Sequence, residues 1–294
     1  VMRYAVTHRT RFGYDSPVRF ARCNLRLEPI AWDGQQLETH RLEITPRPRL
    51  SSARSGGYPV NAMRMVVDHA ANELVIESRF RMRVDRIAPE PRADDPDLVT
   101  VTAVARNSGD LSAVGPANYL SASPMIGLER EIADWAAADL APGRGVVEAG
   151  YALAQRIHDE FRYDGSATLA DTPPIDAFRA RHGVCQDFAQ IMIAALRGHG
   201  LPAAYVSGYI RTIPPPGQPR LVGADATHAW VLIWCGPGRG WLGFDPTNAC
   251  GMGSDHIVTA IGRDYGDVSP IDGIFLGQGA QQIDVSVDVE PLEE

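Results

Sequence analysis

The chain has 294 residues, 45% hydrophobic and 22% charged, a globular composition that excludes bulk disorder and leaves room for about two domains. Its formal net charge of −8 argues against nucleic acid as the main partner. No apolar run approaches the roughly 18 residues of a membrane span, and the first residues lack the pattern of a secretory signal.

The first third is strand-like. "RYAVTHRTRFGY", "RCNLRLEPI", "ETHRLEITPRP", "NAMRMVVD" and "ELVIESRFRMRV" are short, rich in Val, Ile, Leu and Arg, and broken by turns such as "RSGGYP". In the last of them Leu74, Ile76, Ser78, Phe80, Met82 and Val84 alternate with mostly polar neighbours. These segments predict a small all-β sandwich over residues 1–109. The Pro-rich, acidic "APEPRADDPD" (88–97) reads as a linker or the end of this unit.

Helical spacing then takes over, and residues 110–294 are expected to form an α+β core. "GLEREIADWAAADL" places Leu128, Ile132, Trp135 and Leu140 near one face, and "VVEAGYALAQRIHDEFRY" does so with Val147, Tyr151, Ala154, Ile157 and Phe161. "PPIDAFRAR" opens with prolines, which suit a first helical turn. In "RHGVCQDFAQIMIAALRGHG", Phe188, Ile191, Met192, Ala195 and Leu196 predict a helix buried on one face that begins at Cys185 or one residue to either side and stops at Gly198–Gly200. Strands return in "AAYVSGYIRT", "ATHAWVLIWC", "GWLGFDP", "HIVTAIG" and "QIDVSVDVEP". The last reads as half-exposed, with Ile283, Val285, Val287 and Val289 on one side. The Pro-rich stretch 210–225 reads as a loop that forms a rim or an inert connection.

All 28 basic residues are arginine, and they are spread unevenly. Residues 1–50 hold nine Arg and five acids; residues 251–294 hold one Arg and nine acids, which reads as two solvated faces of opposite sign. The four cysteines, Cys23, Cys185, Cys235 and Cys250, make no C-x-x-C pair and no zinc spacing. The expectation is reduced thiols, no metal, no cofactor and a cytoplasmic location.

Cys185 carries the chemistry. Unpaired backbone N–H groups and the positive end of a helix stabilise a thiolate at that position. The segment alone leaves a buried, inert cysteine as an alternative. A nucleophile needs a base, and the base needs an acceptor that orients it. Of the eight histidines, His228 stands on the strand "THAWVLIW", sharing a face with Trp230, Leu232 and Trp234. The turn at 236–240 opposes Trp234 to about Trp241, so His228 pairs near position 247 and Asp245 falls within one strand step of it. Cys185, His228 and Asp245 are the parts of a thiol acyl-transfer site.

The three blocks "GVCQDFAQIMIAALRGHGLPAAYVSGYI", "THAWVLIW" and "GWLGFDPTN" resemble the transglutaminase-like superfamily of papain-type fold, and within it the bacterial transglutaminase-like cysteine proteases that carry an N-terminal β-domain. "DHIVTAIGRDYGDVSPIDGIFLG" and "TRFGYDSPVRFARCNLRLEP" extend the resemblance over nearly the whole chain. It implies a papain-like/transglutaminase-like core, helices followed by an antiparallel sheet, after a small β-sandwich. It implies Cys185 as nucleophile, His228 as base and acid, and Asp245 as the residue orienting the imidazole. Tyr163 in "EFRYDG" stands where such folds place pocket aromatics, and Trp230 is read as a second pocket residue. The N–H groups of Cys185, Gln186 and Asp187 are oxyanion candidates. The sequence matches neither the oxyanion glutamine of papain nor the tryptophan of animal transglutaminases, and it shows no calcium-loop pattern.

The expected partner is a peptide or amide substrate, with neither nucleic acid nor membrane as partner and the oligomeric state open. The reaction expected is hydrolysis through an acyl-thioester. A transglutaminase, a thiol acetyltransferase and a non-catalytic peptide-binding module are the alternatives.

Overall fold

The computed structural model describes residues 1–55, 57–212 and 227–292, so most of the proline-rich stretch 210–225 lies outside the described residues. The expected strands of the first third form as β1 (Met2–Val18), β2 (Phe20–Glu28), β3 (Gln35–Thr45), β5 (Asn61–Val67) and β6 (Ala71–Val84), with β4 (Leu50–Ser55) in addition. The helical stretch gives α1 (Leu98–Arg106), a 3-10 turn at Pro116–Tyr119, α2 (Arg130–Ala136), α3 (Val146–Glu160), α4 (Pro174–Ala180) and α5 (Cys185–Gly198). Two short strands, β7 (Arg162–Tyr163) and β8 (His182–Gly183), pair in parallel around α4. Then come β9 (Ala203–Ile210), β10 (Thr227–Trp234), β11 (Trp241–Asp245), β12 (Cys250–Gly251), β13 (His256–Gly262), α6 (Tyr265–Val268), β14 (Ile271–Leu276) and β15 (Gln281–Leu292).

The result is the expected α+β architecture, a β-sandwich joined to a helix-and-sheet core. The sandwich sheets run β15-β1-β6-β3 and β14-β2-β5-β4. Phe12, Cys23, Leu25, Met65, Leu74 and Ile76 fill the space between them. The inward face of β6 serves two cores at once. Leu74 and Ile76 point into the sandwich, while Phe80, Met82 and Val84 pack with Tyr209 and Ile257 of the second unit. Ser78 marks the waist, its hydroxyl donating to the Leu27 carbonyl at 3.1 Å.

The second unit is built on the sheet β12-β11-β10-β9-β13. Helix α5 lies on one face, with Ala229, Val231 and Ile233 in its core; Trp230, Leu232 and Val206 pack on the other with Ile30 and Tyr119. The spacing predicted one buried face for α5, but every side chain from Asp187 to Arg197 is buried. Sheet on one side and α2, α3 and α4 around the rest leave no face for water. Full burial of Phe188, Ile191, Met192 and Leu196 contributes about 1.5–3 kcal/mol each. The helix ends in a Schellman motif: Gly200 has φ +78°, and the Leu201 N–H donates to the Leu196 carbonyl at 3.0 Å.

The expected division at residue 109 is corrected at both ends. Leu98, Val101 and Ala105 of α1 are buried in the helical core, so that unit already begins with Asp97, whose side chain caps α1. At the other end β14 pairs with β2, and β15 with β1 from Arg3 to Tyr14, so residues 271–292 complete the sandwich rather than the core. On β15 only Val287 and Val289 are buried; Ile283 and Val285 are exposed because this edge strand runs past its cover. The segment 88–97 is tied to the core, with Arg239 ion-paired to Asp95 at 3.1 Å and donating to the Glu90 carbonyl. None of the described helices is long and apolar enough to cross a membrane.

Candidate active site

Cys185 is the first residue of α5. Val184 before it is extended and cannot cap the helix with its side chain. Asp187 does so from inside: its Oδ2 accepts from the Val184 N–H at 2.8 Å and from the Thr168 hydroxyl at 2.6 Å. Burial pushes the pKa of this carboxyl up, and those two donors oppose the shift. Cys185 and Gln186, as the first helical residues, have N–H groups without an intrahelical acceptor.

The glycine before Val184 is required by this cap. A Cβ on Gly183 would lie 2.6 Å from Asp187 Oδ2 and 2.9 Å from its Cβ. Gly183→Ala is expected to displace the cap and cost about 1–3 kcal/mol, read as a lower urea midpoint of unfolding. An unchanged midpoint would show that the cap tolerates the methyl group.

His228 stands at the start of β10. The ladder opposes Trp234 to Trp241 and Val231 to Phe244, the register counted from the turn. Asp245 is thereby diagonal to His228 on the neighbouring strand, and its Oδ2 lies 2.7 Å from His228 Nε2. This leaves Nδ1 free of Asp245 and available to Cys185, which lines the same cleft as His228. Burial alone would lower the pKa of His228. The bonds and charges of Asp245 and Cys185 reverse this and hold it up at about 10.

Asp245 is fully buried and accepts five hydrogen bonds. Oδ2 takes His228, the Asn248 side chain at 2.7 Å and His256 Nε2 at 3.2 Å; Oδ1 takes the N–H groups of Thr247 and Asn248. Burial opposes its charge, yet the two histidines hold it far below the usual carboxylate range. His256 Nδ1 accepts from the Gly253 N–H, which places the His256 proton on Nε2, toward Asp245. Trp230 stacks against His228 with ring centroids 5.9 Å apart and 29° between planes.

Cys185, His228, Tyr163, Gln186, Tyr205 and Ser207 line a cleft of about 220 Å³ together with Val184, Thr227, Ala229, Tyr265 and Pro270. Cys250, Asp245 and His256 form a second grouping, their ligand-type atoms within 4.8 Å of one another. Burial, then the charges of Asp245 and Asp255, push the Cys250 thiol up to about 11, so it stays protonated near neutral pH. The hydrogen bonds of His256 and Asp245 spend their donor atoms on protein partners, which does not fit a metal ion.

Residues 4–83 match the profile of the bacterial transglutaminase-like N-terminal region, and residues 130–246 match that of the transglutaminase-like superfamily. An uncharacterized protein of Mycobacterium tuberculosis is 39% identical over 295 residues, covering 99% of this chain and 93% of that protein. The chain belongs to the transglutaminase-like superfamily. A protein-glutamine gamma-glutamyltransferase of Pseudomonas aeruginosa is 41% identical over 100 residues, 33% of this chain and 15% of that protein. In fold, this transglutaminase-like chain is similar to a crystal structure from Cytophaga hutchinsonii that carries a provisional cysteine-protease name. The TM-score is 0.77 at 18% identity, over 100% of this chain and 91% of that one. The fold and the Cys–His–Asp groupings support acyl-transfer chemistry.

Of the residues singled out in the sequence, Cys185, His228 and Asp245 come together. Tyr163 stands at the cleft rim, 57% exposed, carried there by the β7–β8 pairing. The Gln186 side chain is drawn aside to the Ala170 carbonyl at 2.7 Å. Asp187 is fully buried and lines no part of the cleft, which sets its N–H apart from the other oxyanion candidates. Trp230 is corrected as a pocket residue: it has no exposed surface, lines no part of the cleft and donates to Met252 Sδ. Sequence reasoning missed His256 and Asn248. The only signal was the run "TNACGMGSDH", which begins two residues after Asp245.

Proposed function

We propose that the protein is a cysteine-dependent acyl-transfer enzyme that hydrolyses a peptide or amide bond. Cys185 is the nucleophile, His228 the base and acid, and Asp245 the residue that orients the imidazole. The observation that carries this reading is the 2.7 Å bond from His228 to Asp245, on an imidazole that shares one cleft with Cys185. The Cys185 sulfur attacks the carbonyl carbon, and His228 gives its proton to the leaving amine as the C–N bond breaks. Water then attacks the thioester, His228 takes its proton, and the C–S bond breaks, so that sulfur and imidazole together hold the same number of protons as at the start.

Cys185 is partly exposed beside the open rim at Tyr163, so water reaches the thioester. A second reading, transfer to an amine, is favoured by the gamma-glutamyltransferase relative. Absence of lysine would also spare such an enzyme from cross-linking itself. Acetyl transfer from coenzyme A has less support, because no arginine is among the described residues of the cleft. A module that only binds peptides would have no need of the buried acceptor behind His228.

Blocked glutamine-containing peptides, incubated with and without a primary amine in excess, separate the two outcomes by product mass. Hydrolysis predicts the free acid as main product in both mixtures. An amine adduct that dominates when amine is present would replace hydrolysis with transfer.

A further inference from the structure

The proposed reaction passes through a tetrahedral oxyanion, and a backbone N–H at the start of α5 is one candidate donor for it. Tyr205 stands near the same point. It lies in mid-β9, between Val231 of β10 and Gly262 of β13. Only 1% of it is exposed, yet it lines the cleft beside Cys185, with its ring edge-on to Tyr265 at 6.3 Å. The buried hydroxyls of Tyr4, Tyr119 and Tyr209 all bond to protein atoms. The Tyr205 hydroxyl has no hydrogen-bond partner among the described residues. The hydroxyl is not among the fully buried unpaired ones, such as that of Tyr14; at a cleft wall and without a protein partner it is free to donate to a group that arrives with the substrate.

We propose that the Tyr205 hydroxyl and the Cys185 N–H form the oxyanion site of this cleft. The inference rests on the acyl-transfer reading above. As the S–C bond forms, the carbonyl π pair moves to oxygen, and the oxyanion accepts from both donors. The proton stays on Tyr205. The C=O bond re-forms as the C–N bond breaks and the amine leaves with the proton from His228. Burial, then the charge of Cys185, push the phenol pKa well above its ordinary value, so Tyr205 keeps its proton and can donate it in a hydrogen bond. The rim phenol of Tyr163, by contrast, is largely exposed and hydrated and contributes less.

The test compares two reactions of the same sulfur. Acylation by p-nitrophenyl acetate builds an oxyanion; alkylation by iodoacetamide does not. In Tyr205→Phe, the acylation burst is expected to slow about 10²-fold while the alkylation rate is unchanged. An acylation rate within about threefold of wild type would overturn the proposal, since that change is too small for a lost oxyanion donor. Equal losses in both reactions would overturn it too, by showing that Tyr205 only holds the cleft in shape. A burst that survives in Cys185→Ala refutes the nucleophile itself, and this site with it.

Discussion

Cys185→Ala is expected to lower acyl transfer about 10⁴- to 10⁶-fold, because no other group of the site can take over the attack. The variant should fold. The partly exposed sulfur sits at the edge of the core, and removing it opens no large cavity. Cys250→Ser is the informative partner. Cys250 also neighbours Asp245 and a histidine, but its thiol is held protonated, and His256 turns its N–H toward the carboxylate, not a free nitrogen toward the sulfur. The serine variant should therefore keep its rate, measured as p-nitrophenol release in the steady state. Loss of activity in Cys250→Ser with retention in Cys185→Ala would move the nucleophile to the other side of Asp245.

Asp245→Asn is expected to cut the rate about 10⁴-fold with little change in shape, because an amide no longer fixes the imidazole in the orientation and tautomer the thiol needs. It should also cost roughly 3–5 kcal/mol of stability, because the buried partners of a carboxylate lose its charge. The pH dependence follows from the directions of the two shifts. His228 is raised from 6.5 to about 10, so its contribution is full below 6.5 and is lost as pH rises through 10. Asp245 is depressed, so its contribution is present above its ordinary 3.8 and is lost as pH falls below that value. In urea unfolding, the gap between wild type and Asp245→Asn should be widest from about pH 4 to 6.5 and should narrow toward pH 10. A gap that stays constant over this range would mean that the carboxylate acts by packing alone.

Much of this site could be read from local pattern. Helical spacing from Phe188 to Leu196 located the start of α5, and therefore Cys185, because a helix N-terminus is set by the residues of its first turns. The hairpin count put Asp245 near His228 because a short turn fixes register. What escaped depends on distance along the chain. His256 reaches Asp245 only after the chain has turned through β12 and returned to pair with β9. Alternation put Trp230 on the face of His228, but alternation reports a face and not a depth, and that face is covered by the sandwich side of the molecule. Tyr205 read simply as one of many strand residues, since nothing local shows that its hydroxyl goes unpaired.

The fold shows the same division. The strand at 281–292 was legible as a strand, but its partner β1 lies at the other end of the chain. Helix α1 was not legible at all. Its Val- and Thr-rich run, "LVTVTAVAR", has the stiff side chains of a strand. The Asp97 cap and the burial of Leu98, Val101 and Ala105 override that preference.

If Cys185 carries the acyl group, the adduct's mass shows it. Brief reaction with p-nitrophenyl acetate at mildly acid pH, followed by proteolysis and mass spectrometry, should place one acetyl group on the peptide that contains Cys185. His228→Ala should leave that peptide unmodified over the same time. Acetylation confined to the peptide of Cys250, or spread evenly over accessible side chains, would contradict the account.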